Sequence, residues 1–202
     1  MELIPLKLFI KPGNWKHYSD RLNSKNYSKI KDIILERDET KCCYCGYMSS
    51  ANELININNN YADNSKNNIG LACSLCAPCV LLDGFGTDPN FSGLIVFLPE
   101  IQQVELNHML RTIYAGMEKQ VSYKTRLADV MITIEERKDY VEQIFGKKSY
   151  QVEYFAQGLM DTFIDEKKLD HPVFKSLRII PERAKLKKEV PDFINTYFKN
   201  IG

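Results

Sequence analysis

Two Cys-x-x-Cys pairs lying close together constrain this chain more than anything else in it. All six cysteines, Cys42, Cys43, Cys45, Cys73, Cys76 and Cys79, fall between residues 42 and 79. Secreted disulfide scaffolds spread their cysteines along the chain, whereas tight clusters with two-residue spacing read as metal ligands. Zinc takes four soft ligands in a tetrahedron, and two residues between paired cysteines let one turn present both sulfurs to the same ion. Cys42 and Cys45 make the first pair, with Gly46 placed to take the positive φ that often follows such a turn. Residues 46–72 intervene before the second pair, for which Cys73/Cys76 and Cys76/Cys79 have equal spacing. Buried free thiols and a thioredoxin-type redox motif are the competing readings. Two pairs so near each other favour a shared ion.

At 202 residues the chain can bury one substantial core or two small packed ones. Its 27 Lys and Arg nearly balance 26 Asp and Glu, which gives no support to a duplex-DNA binder. The longest apolar stretch is about seven residues around Leu94–Leu98, against roughly 20 for a membrane-spanning helix. Residues 1–10 include Glu2, Pro5 and Lys7 and lack the apolar centre of a signal peptide. A cytoplasmic protein without a transmembrane segment is therefore expected.

The pattern along the chain predicts a mixed fold. Leu3 to Ile10 reads as a short strand ending in a Lys11–Asn14 turn. Asn26 to Asp38 reads as a helix with Ile30, Ile33, Ile34 and Arg37 on one face. Asn52, Asn56, Asn58, Asn59, Asn60, Asn64, Asn67 and Asn68 crowd the segment between the cysteine pairs. Low complexity is one reading of it. The other is a hairpin held by the neighbouring ligands, with a strand at Leu54, Ile55 and Ile57 and a turn at Asp63–Ser65. Residues 80–93, with Gly84, Gly86, Pro89 and Gly93, read as a loop, and Gly93–Leu98 as a buried strand closed by Pro99. Beyond residue 100 the period becomes helical. Leu106, Met109, Leu110, Ile113, Tyr114 and Met117 mark one helix. Leu127, Val130, Met131, Ile134, Val141 and Phe145 mark a second over Lys124–Phe145, stopped by Gly146. Val152, Phe155, Leu159, Met160 and Phe163 suggest a third. Pro181 suits the first turn of a fourth over Glu182–Glu189, restarted at Pro191 and carrying Phe193, Ile194, Tyr197 and Phe198.

The run Glu36–Gly46 resembles the opening of zinc-bearing HNH endonuclease domains, and Asn68–Cys76 resembles their second half. That resemblance implies a structural zinc on Cys42, Cys45, Cys73 and Cys76, with Cys43 and Cys79 as spare thiols. It also implies a ββα nuclease site whose parts are missing here. The three histidines, His17, His108 and His171, all lie outside the segment between the pairs. Ile57-Asn58-Asn59-Asn60 stands where an Asp-His is expected, and Ala77-Pro78 follows the second pair. An amide is not a general base, and Asp63 alone with amides makes a poor divalent site.

The whole chain resembles the IcmJ/DotN family of the Dot/Icm type IVB secretion system. Leu6-Lys7-Leu8 with Pro12–Trp15, the two cysteine blocks, Ile95–Glu100 with Val104–Asn107, and Arg178–Lys185 carry the likeness in order. It implies an α+β protein with an HNH-like zinc-knuckle ββα region over residues 1–99 and a mainly helical region over 100–202 packed on it. It further implies a non-catalytic adaptor of the coupling-protein complex, cytoplasmic and peripheral to the inner membrane. Its partner would be the C-terminal extension of the DotL ATPase, with other coupling-complex subunits possible and nucleic acid not expected. The basic run Lys167, Lys168, Lys175, Arg178, Arg183, Lys185, Lys187 and Lys188 admits an acidic partner or lipid surface, but a solvated helix face is the plainer reading. Trp15 is expected in the core, and His108 as a packed or surface residue rather than a ligand.

Overall fold

Two antiparallel strand pairs organise the computed structural model, which describes residues 2–85, 87, 92–162, 169–182, 186 and 189–198. Helices α1 (Asn14–Leu22) and α2 (Tyr27–Arg37) precede the first pair, β1 (Glu53–Asn56) and β2 (Ile69–Ala72). Two four-residue helices follow, α3 (Ala77–Val80) and α4 (Leu82–Phe85). Strand β3 (Gly93–Phe97) leads into α5 (Gln103–Lys119), α6 (Lys124–Glu136), α7 (Lys138–Phe145), α8 (Val152–Asp161) and the short α9 (Pro172–Lys175). The chain then enters β4 (Leu177–Pro181), which pairs with β3, and the last described helix is α10 (Val190–Tyr197). The fold is α+β, as expected.

The first hairpin works because its side chains alternate between two apolar layers. Leu54, Ile69 and Leu71 pack with Ile34 under α2, while Ile55 and Ala72 face the cysteine-bearing core. Asparagines take over where apolar residues run out. Asn56 donates to the Asn60 and Asp63 carbonyls, Asn68 to the Asp63 carbonyl, and Asn14 to the Asn59 carbonyl. The Asn-rich segment is a loop closed by its own amides, and Asp63 accepts from the Ser65 N–H as a turn residue does.

Several expectations are corrected. Residues 3–10 form no strand, and their backbone bonds are isolated ones: Ile4 donates to Cys43, Phe9 donates to Cys79, and the Phe9 carbonyl accepts from Leu82. Helix α1 begins at Asn14, the last residue of the predicted turn, with Gly13 at φ 91° and the Asp83 carboxylate accepting the Trp15 N–H at 2.6 Å. On α2 only Ile34 is buried, and Ile30 and Ile33 are exposed. Leu82–Phe85 is helical rather than loop, while Gly86 and Pro89 lie outside the described residues. The predicted helix over 124–145 is two, because the Arg137 carbonyl accepts from Phe97 and the chain turns to lay α7 along β3. Val130 is exposed on α6. Pro181 ends β4 instead of starting a helix, a place where a missing N–H costs nothing to the ladder. Arg178 belongs to no solvated face: it is buried and donates to the Ile101, Lys175 and Leu177 carbonyls. Phe163, Lys167, Lys168, Arg183, Lys185, Lys187 and Lys188 lie outside the described residues.

Trp15 is half-buried, stacked beside Tyr18 and against Gly84. A Cβ on Gly84 would lie 2.6 Å from the indole Cε3. Gly84→Ala is therefore expected to cost about 1–3 kcal/mol. Denaturant unfolding followed by the fluorescence of the single tryptophan measures it.

Candidate metal centre

Local hydrogen bonding shapes both cysteine turns. Gly46, at φ 72°, donates its N–H to the Cys42 carbonyl, and Cys42 donates to Tyr47, closing the first turn. The Cys73 carbonyl accepts from Cys76 and Ala77 at the start of α3, closing the second. Strand β2 joins the two: Cys43 donates to the Leu71 carbonyl at 2.8 Å, and the strand delivers Cys73 one residue past Ala72.

The sulfurs of Cys42, Cys45, Cys73 and Cys76 consequently lie within 4.8 Å of one another, each residue no more than 6% exposed. Zinc–sulfur bonds of about 2.3 Å in a tetrahedron place the sulfurs about 3.8 Å apart. Cys45 and Cys73 stand 3.7 Å apart. Among the described residues this is the one group of His, Cys, Asp and Glu side chains that could hold a metal ion. As bare thiols, Cys45, Cys73 and Cys76 are shifted in opposite directions. Hydrogen bonds from Cys42, Cys73 and Cys76 hold Cys45 far below the ordinary thiol range, while burial pushes Cys73 up and Cys42, Cys45 and Cys73 push Cys76 up. A divalent cation between the sulfurs would offset the mutual repulsion of their thiolates.

Cys43 and Cys79 stand outside this group. The Cys79 thiol approaches the Leu75 carbonyl and sits in a separate apolar cluster with Ile10 and Leu82. Burial pushes Cys43 up to about 12 and Cys79 higher still, the behaviour of inert core thiols. The geometry thus separates the rival pair Cys76/Cys79.

Three polar residues of α5 near the centre were not among the expected site residues. Gln103, Asn107 and Arg111 lie at successive turns of α5 on its buried face. Gln103 exchanges hydrogen bonds with the Ile179 backbone and donates to Asn107. Asn107 donates to the Cys76 sulfur at 3.2 Å and Arg111 to those of Cys73 and Cys45 at 2.7 and 3.4 Å. Their targets outside α5 lie 31 or more residues away in sequence, so spacing gives no hint of them.

The other candidates lie elsewhere. Asp63, partly exposed, bonds Ser65 and Asn58, and the Ser65 N–H holds it below the usual carboxylate range. His17 and His171 are exposed, His171 capping α9, and His108 is half-buried on α5. No helix among the described residues is long and apolar enough to cross a membrane.

No family model matches the chain. Among curated proteins, it is 27% identical over 198 residues to the type 4 apparatus protein DotN of Legionella pneumophila, an alignment covering 98% of this chain and 92% of that protein.

Proposed function

We propose that this chain, which belongs to the DotN (IcmJ) family, is a non-catalytic, zinc-stabilised adaptor subunit of a type IVB secretion coupling-protein complex. What carries the reading is similarity along nearly the whole length to a type 4 apparatus protein. Its task is to bind the C-terminal extension of a DotL-type ATPase at the cytoplasmic face of the inner membrane, where further coupling-complex subunits can join.

Zinc on Cys42, Cys45, Cys73 and Cys76 is structural in this reading, since four buried thiolates leave no position for water or substrate. The β1–β2 hairpin followed by α3, with a cysteine pair before and after it, is the arrangement expected of a degenerate HNH-like ββα unit within residues 1–99. In this reading residues 100–202 are the mainly helical part packed on it, joined to it by the pairing of β4 with β3. Asn58 and Asn60 spend their side chains on the loop's own turns, and no amide there can take a proton from water.

Co-expression with the coupling ATPase's C-terminal segment is expected to yield a complex that co-elutes at micromolar concentration. The purified protein is expected to leave supercoiled plasmid intact with magnesium or manganese. Failure to form the complex, together with plasmid cleavage lost in Asp63→Ala or duplex binding of steep salt dependence, would replace this reading with a nuclease or nucleic-acid-binding one.

A further inference from the structure

Arg111 is fully buried, yet it makes no ion pair with a carboxylate among the described residues. Its Nε and Nη1 make no hydrogen bond. Only Nη2 has hydrogen-bond partners, the sulfurs of Cys73 and Cys45. The guanidinium lies 4.3 Å over the Tyr47 ring and 6.0 Å from that of Phe193, so aromatic faces seal it from solvent. A buried cation without a counter-charge is strongly destabilising. The counter-charge in direct contact is the cysteine cluster, the Glu189 carboxylate attracting the guanidinium only from beyond hydrogen-bond distance.

The same argument runs from the metal's side. Four thiolates around a divalent ion carry a net charge of about −2, which is costly in a dry core. One guanidinium brings this to about −1 and places N–H donors on two sulfurs. Asn107, one turn earlier on α5, supplies a donor to a third sulfur while also holding the Leu75 carbonyl between the two ligands of the second turn.

Resting on the zinc reading above, we infer that Arg111 and Asn107 are positioning residues of the metal centre: they donate to three of its four sulfurs, halve its charge and thereby set how tightly it holds its ion. Outer-shell partners of this kind typically govern metal affinity by 10–100-fold. The α5 helix, beyond the cysteine segment in sequence, is then part of the site.

Zinc competition against a chelator of known affinity, with the native full chain and three variants, tests this. Arg111→Met, similar in size but neutral, is expected to weaken zinc binding about 10–100-fold, and Asn107→Leu about tenfold. Arg111→Lys, which keeps the charge without the planar fork, should fall between native and Arg111→Met. Cobalt-loaded protein provides a readout that lost packing does not move. Removing donors from the sulfurs raises their electron density and shifts the sulfur-to-cobalt charge-transfer bands to lower energy. Native affinity with unshifted bands in Arg111→Met overturns the inference. If that variant does not fold, native affinity and unshifted bands in both Asn107→Leu and Arg111→Lys overturn it equally. A native chain that takes up neither zinc nor cobalt refutes the metal reading itself, a result distinct from any variant's.

Discussion

Cys76→Ser is expected to abolish stoichiometric zinc binding and to unfold the hairpin region with it. Cys76 is fully buried among the other three sulfurs, and its backbone opens α3. A serine oxygen is a harder, more distant donor, and the remaining sulfurs do not complete a tetrahedron. Structural zinc sites supply about 10–16 kcal/mol of apparent binding free energy, comparable to or above the net stability of a whole domain, about 5–15 kcal/mol. The Asn-rich loop has little apolar burial of its own to offset that loss. Metal analysis should find less than one zinc per chain, and amide exchange should show residues 42–76 losing protection together. ATPase-segment binding should disappear in the same variant. Full zinc occupancy, or native protection without zinc, would mean the cluster is an ordinary packed core.

The parts of this fold that could be read from the sequence are those whose cause is local. Two-residue spacing brings Cys42 to Cys45 and Cys73 to Cys76 by a single turn each, whatever the rest of the chain does. The apolar period of α5 and α8 likewise follows from their own residues. What escaped depends on partners far along the chain. β4 was missed because Leu177–Pro181 is a strand only by virtue of β3, and Pro181 suits a strand end as well as a helix start. Arg178 looked like a surface charge because the Ile101 carbonyl that accepts from its Nε lies 77 residues away, although its other two acceptors, Lys175 and Leu177, are close in sequence. Ile30 and Ile33 have helical spacing, yet α2 buries only the Ile34 side. For the site, spacing alone showed the cysteine turns but not the choice between Cys73/Cys76 and Cys76/Cys79, and it gave no sign of the side chains that donate to the sulfurs. Asn107 and Arg111 gain meaning only when α5 lies across the cysteine turns.

Phe193→Ala should be the most damaging substitution outside the cysteines, and for a different reason. Phe193 is fully buried on α10, meets Tyr47 edge-to-face at 5.7 Å and covers Arg111. It therefore fastens the last described helix to the residue directly after the first cysteine turn. Truncation leaves a cavity beside the tightly packed cysteine turns, which have little room to collapse into it, so the usual range for such a truncation applies, about 3–5 kcal/mol. Phe193→Leu, which keeps most of the volume, should cost about 1.5 kcal/mol or less. Because the sulfurs are untouched, the alanine variant should still carry one zinc while its denaturation midpoint falls. That separates it from Cys76→Ser, where metal and structure go together. A loss below about 1 kcal/mol would show that α10 contributes little to the core. Loss of zinc together with the folded state would show that the C-terminal helix is needed to assemble the site it covers.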